Sequence, residues 1–153
     1  MKKALVKTGI TLTVLLIAIQ FYNPYAIKEV KSSDYDQRID IVRANNAPSE
    51  VAKLLKTTCY DCHSFETKDY WYSDIAPASW LVSKDIMEAR EKLNFSLWEN
   101  YSNNEKIDFA GEIMFQIYEG KMPIDEYLLM HSEADISKAE QNKITEWINS
   151  LVE

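Results

Sequence analysis

Residues 47–64 read APSEVAKLLKTTCYDCHS, and what this stretch can hold constrains the domain built around it. Pro48 and Ser49 open a helix on which Val51, Leu54 and Leu55 share one face, and that helix runs directly into Cys59. Cys59-Tyr60-Asp61-Cys62-His63 then gathers both cysteines of the chain and one of its two histidines. This is the spacing of a c-type haem attachment site. Thiols three apart on a helical turn project to one side, where each can add to a vinyl group of the porphyrin. The adjacent His63 is then placed to reach the iron as proximal ligand. Two other chemistries use similar residues. A thioredoxin-type dithiol stands at a helix N-terminus after a strand, whereas here the pair follows a helix and no βαβ pattern surrounds it. A structural zinc site would combine Cys59, Cys62, His63 and His131, but neighbouring Cys62 and His63 rarely share one zinc, and His131 lacks a partner ligand at the usual spacing.

Outward from this motif the chain reads as all-α. Among 153 residues only 3 are Gly and 4 are Pro, and no period-2 run suggests a strand. A second helix fits Ser79 to Leu93, with Val82, Ile86 and Leu93 inward. A third follows Ser102, Asn103 and Asn104 as the stripe Ile107, Ala110, Met114, Ile117 and Tyr118, and Gly120 stands where a C-terminal cap belongs. The fourth begins at the capping-box pattern Ser137-x-x-Glu140 and continues through Ile144, Trp147, Ile148 and Leu151. The haem-binding domain is therefore expected over residues 47–153. Residues 28–46 are polar, of mixed charge and without apolar period, which reads as a linker.

Residues 1–27 have a different character. Between Lys7 and Lys28 lie 20 uncharged residues, enough to cross a bilayer as one helix. Lys2, Lys3 and Lys7 orient the N-terminus to the cytoplasm, and Phe21, Tyr22 and Tyr25 suit the far interface. A single-pass anchor in the bacterial cytoplasmic membrane, with the haem domain on the periplasmic side, is the expectation. A cleaved signal peptide is the competing reading, but Asn23, Pro24 and Tyr25 crowd the candidate cleavage site at Ala26. Residues 29–153 carry 13 basic and 24 acidic side chains, a net charge of −11. Such a surface repels nucleic acid, and an exported redox partner steered to it should present a basic docking patch.

A six-coordinate iron needs a second axial ligand, and a methionine thioether is the one that raises reduction potential. Met87 and Met114 fall inside expected helices, where methionine is ordinarily packing material. Met122 follows the helix-ending Gly120 and precedes Pro123, which biases it to an extended conformation in a loop. It is the expected distal ligand, with His131 as runner-up.

The chain resembles the bacterial haem-binding domain family of cytochrome c type. The resemblance rests on Cys59-Tyr60-Asp61-Cys62-His63-Ser64, on Trp71-Tyr72-Ser73-x-x-Ala76-Pro77-x-Ser79-Trp80, on Leu93-Asn94-Phe95-Ser96-x-Trp98, and on Gly120-Lys121-Met122-Pro123 followed by Tyr127. It implies one covalent haem c, His63 and Met122 as ligands, and a cytochrome c-like helical fold wrapped around the haem. Where members often carry His-hydrophobic-x-x-Gly-Arg, this chain has Asp85-Ile86-Met87-Glu88-Ala89-Arg90. Trp71, Tyr72 and Trp80 are candidates to pack on the porphyrin, and Arg90 to meet a propionate, although core packing and solvation explain them equally well. The expected function is one-electron transfer rather than catalysis. A haem-based sensor and a small haem peroxidase component are the alternatives.

Overall fold

The computed structural model describes residues 2–25, 27, 30–31 and 33–153, and every regular element among them is helical. The helices are α1 (Lys2–Ala18), α2 (Ile41–Ala44), α3 (Ser49–Thr58), α4 (Tyr60–His63), α5 (Ala78–Lys92), α6 (Asn103–Tyr118), α7 (Asp125–Leu128) and α8 (Lys138–Ser150), with short 3-10 turns between some of them. The chain divides into two compact units, residues 1–28 with 68–88, and residues 29–67 with 89–153.

In the first unit, α1 continues as a 3-10 turn to Phe21, and the stretch Lys2–Phe21 is long and apolar enough to cross a membrane. No residue of α1 is buried against the protein. A core helix would hide one face; this one is apolar and exposed on all sides, as a helix solvated by lipid would be.

The second unit carries the core. Ile41, Leu55, Tyr60, Phe95, Trp98, Ile144 and Ile148 are all but fully buried in one cluster. α3 and α6 both pack against α8. Helices α6 and α8 start where the sequence says they should. Ser102 and Ser137 accept from the backbone N–H of Glu105 and Glu140, whose carboxylates return to the serine N–H, so both α6 and α8 open with a complete capping box.

Three expectations shift. The folded core begins before residue 47: Asp40 caps α2 by accepting from the N–H groups of Val42 and Arg43, and Ile41 is wholly buried. A four-residue helix is too short to show a period, so the composition of 28–46 reads as linker. The face of α6 also differs. Ala110 and Ile117 are buried and Phe109, Ile113 and Met114 pack beside them, whereas Ile107 and Tyr118 point to solvent. Each apolar stripe that could be drawn on this helix includes Ala110 and Ile117, and only the packing partner chooses between them. Val82 on α5 is likewise half-exposed, while Ile86 is buried.

Ile148 sits in the middle of the core with no exposed surface. Ile148→Ala should lower unfolding free energy by about 2–5 kcal/mol in chemical denaturation, through lost burial and the cavity left behind.

A candidate haem site

The peptide geometry around the cysteines is set by a break between α3 and α4. Cys59 closes α3 with its N–H on Leu55 O (2.9 Å), then departs from helical dihedrals at φ −123°. The chain re-enters a single turn in which the N–H groups of Cys62 and His63 both reach Cys59 O, at 3.3 and 2.9 Å. Neither cysteine is in a disulfide, and both are half-buried. Burial pushes the Cys59 thiol up to about 11, against the pull of the Thr58 hydroxyl 3.1 Å away. A redox dithiol needs the opposite shift. Among the described residues no three His, Cys, Asp or Glu side chains converge as a metal site, so Cys59, Cys62, His63 and His131 form no zinc cage.

His63 is held by the backbone. Its Nδ1 lies 3.0 Å from Leu93 O. A carbonyl can only accept, so Nδ1 carries the proton and Nε2 keeps its lone pair for a metal. Burial holds the ring below the usual histidine range, outweighing the carbonyls of Leu93 and Ala89 that favour protonation, so it is neutral near pH 7. The Phe95 ring packs at 5.8 Å from both the His63 and Tyr60 rings. Beyond it, Phe65 N–H donates to Ser96 Oγ at 3.0 Å, and Arg90 donates to Ser64 O and Thr67 Oγ1, both at 2.8 Å, while lying over the Phe65 ring. Arg90, a candidate propionate partner on sequence grounds, thus clamps the loop that follows His63.

A cavity of about 380 Å³ opens beside these residues. Cys59, His63, Leu93 and Phe95 line it together with Ile113 and Ile117 of α6, and with Met122. Met122 reaches it through a Schellman ending to α6. Gly120, at φ 65°, donates to Ile117 O (3.2 Å), and Lys121 and Met122 both donate to Gln116 O, at 2.9 and 3.3 Å. The Met122-Pro123 peptide is cis. Tyr127 then ties the segment back to the turn that bears the thiols, its hydroxyl donating to Asp61 Oδ2 at 2.6 Å. His131 is placed elsewhere: it is buried, stacked on Tyr127 at 4.3 Å with Nδ1 3.1 Å from Glu133, and does not line the cavity. Nor do Met87, Met114 or Met130. Trp71, Tyr72 and Trp80 belong to the other unit, and all the lining residues come from residues 29–67 and 89–153.

Sequence reasoning missed three contributors. The Leu93 carbonyl has no side-chain signature. Phe95 stood in a stretch noted only for its resemblance. Asp40, inside the supposed linker, accepts the Tyr60 hydroxyl on both carboxylate oxygens at 2.9 and 3.0 Å.

The residues present suit a haem. The cavity wall is mostly aliphatic and aromatic, one neutral imidazole and one thioether line it with the Cys59 thiol, and Cys62 follows three residues on in the same turn without lining it. An all-helical domain with that donor set is a haem-binding domain. The family model described as "Haem-binding domain" matches residues 14–150, and the chain belongs to that family. Compared with curated proteins and with solved structures, the chain finds no match.

Two outcomes follow. An alanine at position 120 would meet no atom within 4 Å but would have to keep the positive φ, so Gly120→Ala should cost roughly 1–2 kcal/mol in denaturation, all of it backbone strain. Burial pushes the Asp40 carboxyl above its ordinary range, more than the Tyr60 hydroxyl and the α2 amides pull it down. A raised folded-state value means that stability from this group is complete below the unfolded carboxylate pKa of about 3.9 and is lost as pH rises through the folded value. Asp40→Asn keeps the cap and an acceptor for Tyr60. It should therefore flatten the fall in stability between about pH 4 and about pH 7, measured by denaturation at both.

Proposed function

We propose that this chain is a membrane-tethered monohaem c-type cytochrome that relays electrons one at a time outside the cytoplasm. The observation that carries the reading is a single cavity lined by both His63, with Nδ1 committed to Leu93 O, and Met122. When bound, the haem supplies reversible one-electron exchange at its iron. Cys59 and Cys62 would hold it through thioether links, and His63 and Met122 would bind its iron. Phe95, Ile113 and Ile117 keep water from the wall, and Lys92, exposed at the rim, offers a cation for a propionate. Thr58 at the end of α3, Lys92 at the end of α5 and the Phe109–Ile117 face of α6 line the cavity and would enclose the group.

The anchor is α1, oriented by Lys2, Lys3 and Lys7, which puts the acidic domain in the extracytoplasmic space. The −11 charge of residues 29–153 supports a redox partner with a basic face. Met122 is 40% exposed, an accessibility that a gas sensor with a displaceable thioether would also need.

The test is maturation. Expressed in a host that attaches haem c, the chain should keep its haem through a denaturing gel, and Cys59→Ala with Cys62→Ala should lose it. The oxidised spectrum should carry the red-region band of methionine-ligated ferric iron, absent in Met122→Ala. Failure to retain haem beside a control cytochrome that does would sink the covalent reading. Rapid CO binding by the reduced parent would shift the assignment from carrier to sensor.

A further inference from the structure

We infer that residues 71–81 form a second membrane contact, an aromatic shelf lying in the interfacial layer of the bilayer beside the exit of α1. The inference rests on α1 being a membrane span, and goes beyond it in assigning a lipid-facing role to a segment far along the chain.

The first observation is a reciprocal hydrogen bond at the end of the span. Gln20, one residue before the apolar stretch ends at Phe21, accepts from Ala76 N–H at 2.9 Å and donates to Ala76 O at 3.3 Å. Its amide thus satisfies both backbone groups of one residue 56 positions away. Irregular backbone is tolerated near the hydrocarbon only where its polar groups find protein partners, and this pairing supplies them. Two further bonds hold the same segment to the residues just past the span. The Trp80 indole N–H donates to Tyr22 O at 2.6 Å, with the two rings edge to face, and Asn23 donates to Ser83 Oγ at 2.9 Å. If α1 crosses the bilayer, Ala76 is fixed at the depth of Gln20 and Trp80 at the depth of Tyr22.

The second observation is what this segment exposes. Trp71 is 75% exposed, Leu81 65% and Ile75 47%. These side chains have no core to join, and together with exposed Phe21 and Tyr22 they make an apolar and aromatic surface at one end of the span. Between Tyr70 and Ser83 the only charged residue is Asp74, so the surface is suited to the polar–apolar boundary of a neutral lipid rather than to an acidic headgroup. Tryptophan and tyrosine favour that boundary because an apolar ring and a hydrogen-bonding edge are accommodated together. A second anchoring element tied to the first holds residues 71–81 at the membrane beside the end of α1.

The experiment uses the full haem-bearing chain in phosphatidylcholine vesicles containing a phosphatidylcholine with a photoreactive group at the top of its acyl chain. After illumination, lipid adducts are mapped by peptide mass spectrometry. Adducts on α1 and at Trp71, Ile75 and Leu81, with none on the peptide bearing buried Ile144 and Ile148, are expected. Adducts on α1 with none on residues 71–81 would overturn the shelf and leave the tether standing, which is also the result if this surface receives a protein. Adducts on neither would remove the membrane span and the shelf with it.

Discussion

The bond from His63 Nδ1 to Leu93 O is the constraint on which the rest of the site depends. An imidazole has two nitrogens, and a metal ligand of fixed direction needs one of them committed elsewhere. Here the commitment is made to a carbonyl just past the end of α5, where helix geometry leaves acceptors unpaired. That choice has consequences on both sides of the bond. The end of α5 must come to the turn that bears His63, which Arg90 secures by clamping Ser64 and Thr67. The chain after Leu93 must then turn sharply, which Asn94 enables by accepting from Ser96 N–H, and Phe95 is thereby set between the His63 and Tyr60 rings.

The turn from Cys59 to His63 is steadied from behind as well. Tyr60 occupies one of the two variable positions between the cysteines, and its hydroxyl ends on a carboxylate with no solvent exposure. Asp40 also caps α2, so one side chain joins the first helix of the folded unit to the turn that bears the thiols. A buried carboxylate is costly without partners, and the hydroxyl and two backbone N–H groups supply them. On the other wall, Asp61 takes the Tyr127 hydroxyl. Both residues between Cys59 and Cys62 are thus used as struts, one to α2 and one to the segment that follows Met122.

Much of this arrangement was legible in the chain. The pentad Cys59 to His63, the absence of strands, the uncharged run after Lys7, the capping boxes at Ser102 and Ser137 and the glycine at 120 are all local patterns. Each is written in neighbouring residues because each acts through neighbours: helical periodicity, caps and turns operate within a few positions of themselves. The family match over residues 14–150 agrees with the helical haem-binding reading drawn from them.

What the tertiary structure decided lies between distant positions. The buried face of α6, with Phe109 and Ile113 in and Ile107 and Tyr118 out, was chosen by its packing partners, since the helix itself offers several stripes. The role of Asp40 depends on a tyrosine 20 positions later. Ala76 and Trp80 of the aromatic segment 70–80 are hydrogen-bonded to Gln20 and Tyr22 at the end of α1, partners more than 50 positions away. The carbonyl that orients His63 belongs to a peptide group that every residue possesses, and no side chain advertises it. Sequence alone therefore determined which groups could bind a haem and where helices begin and end. Only the folded chain determined which backbone atoms and buried polar partners hold those groups in place, because long-range contacts leave no periodic trace in the residues that make them.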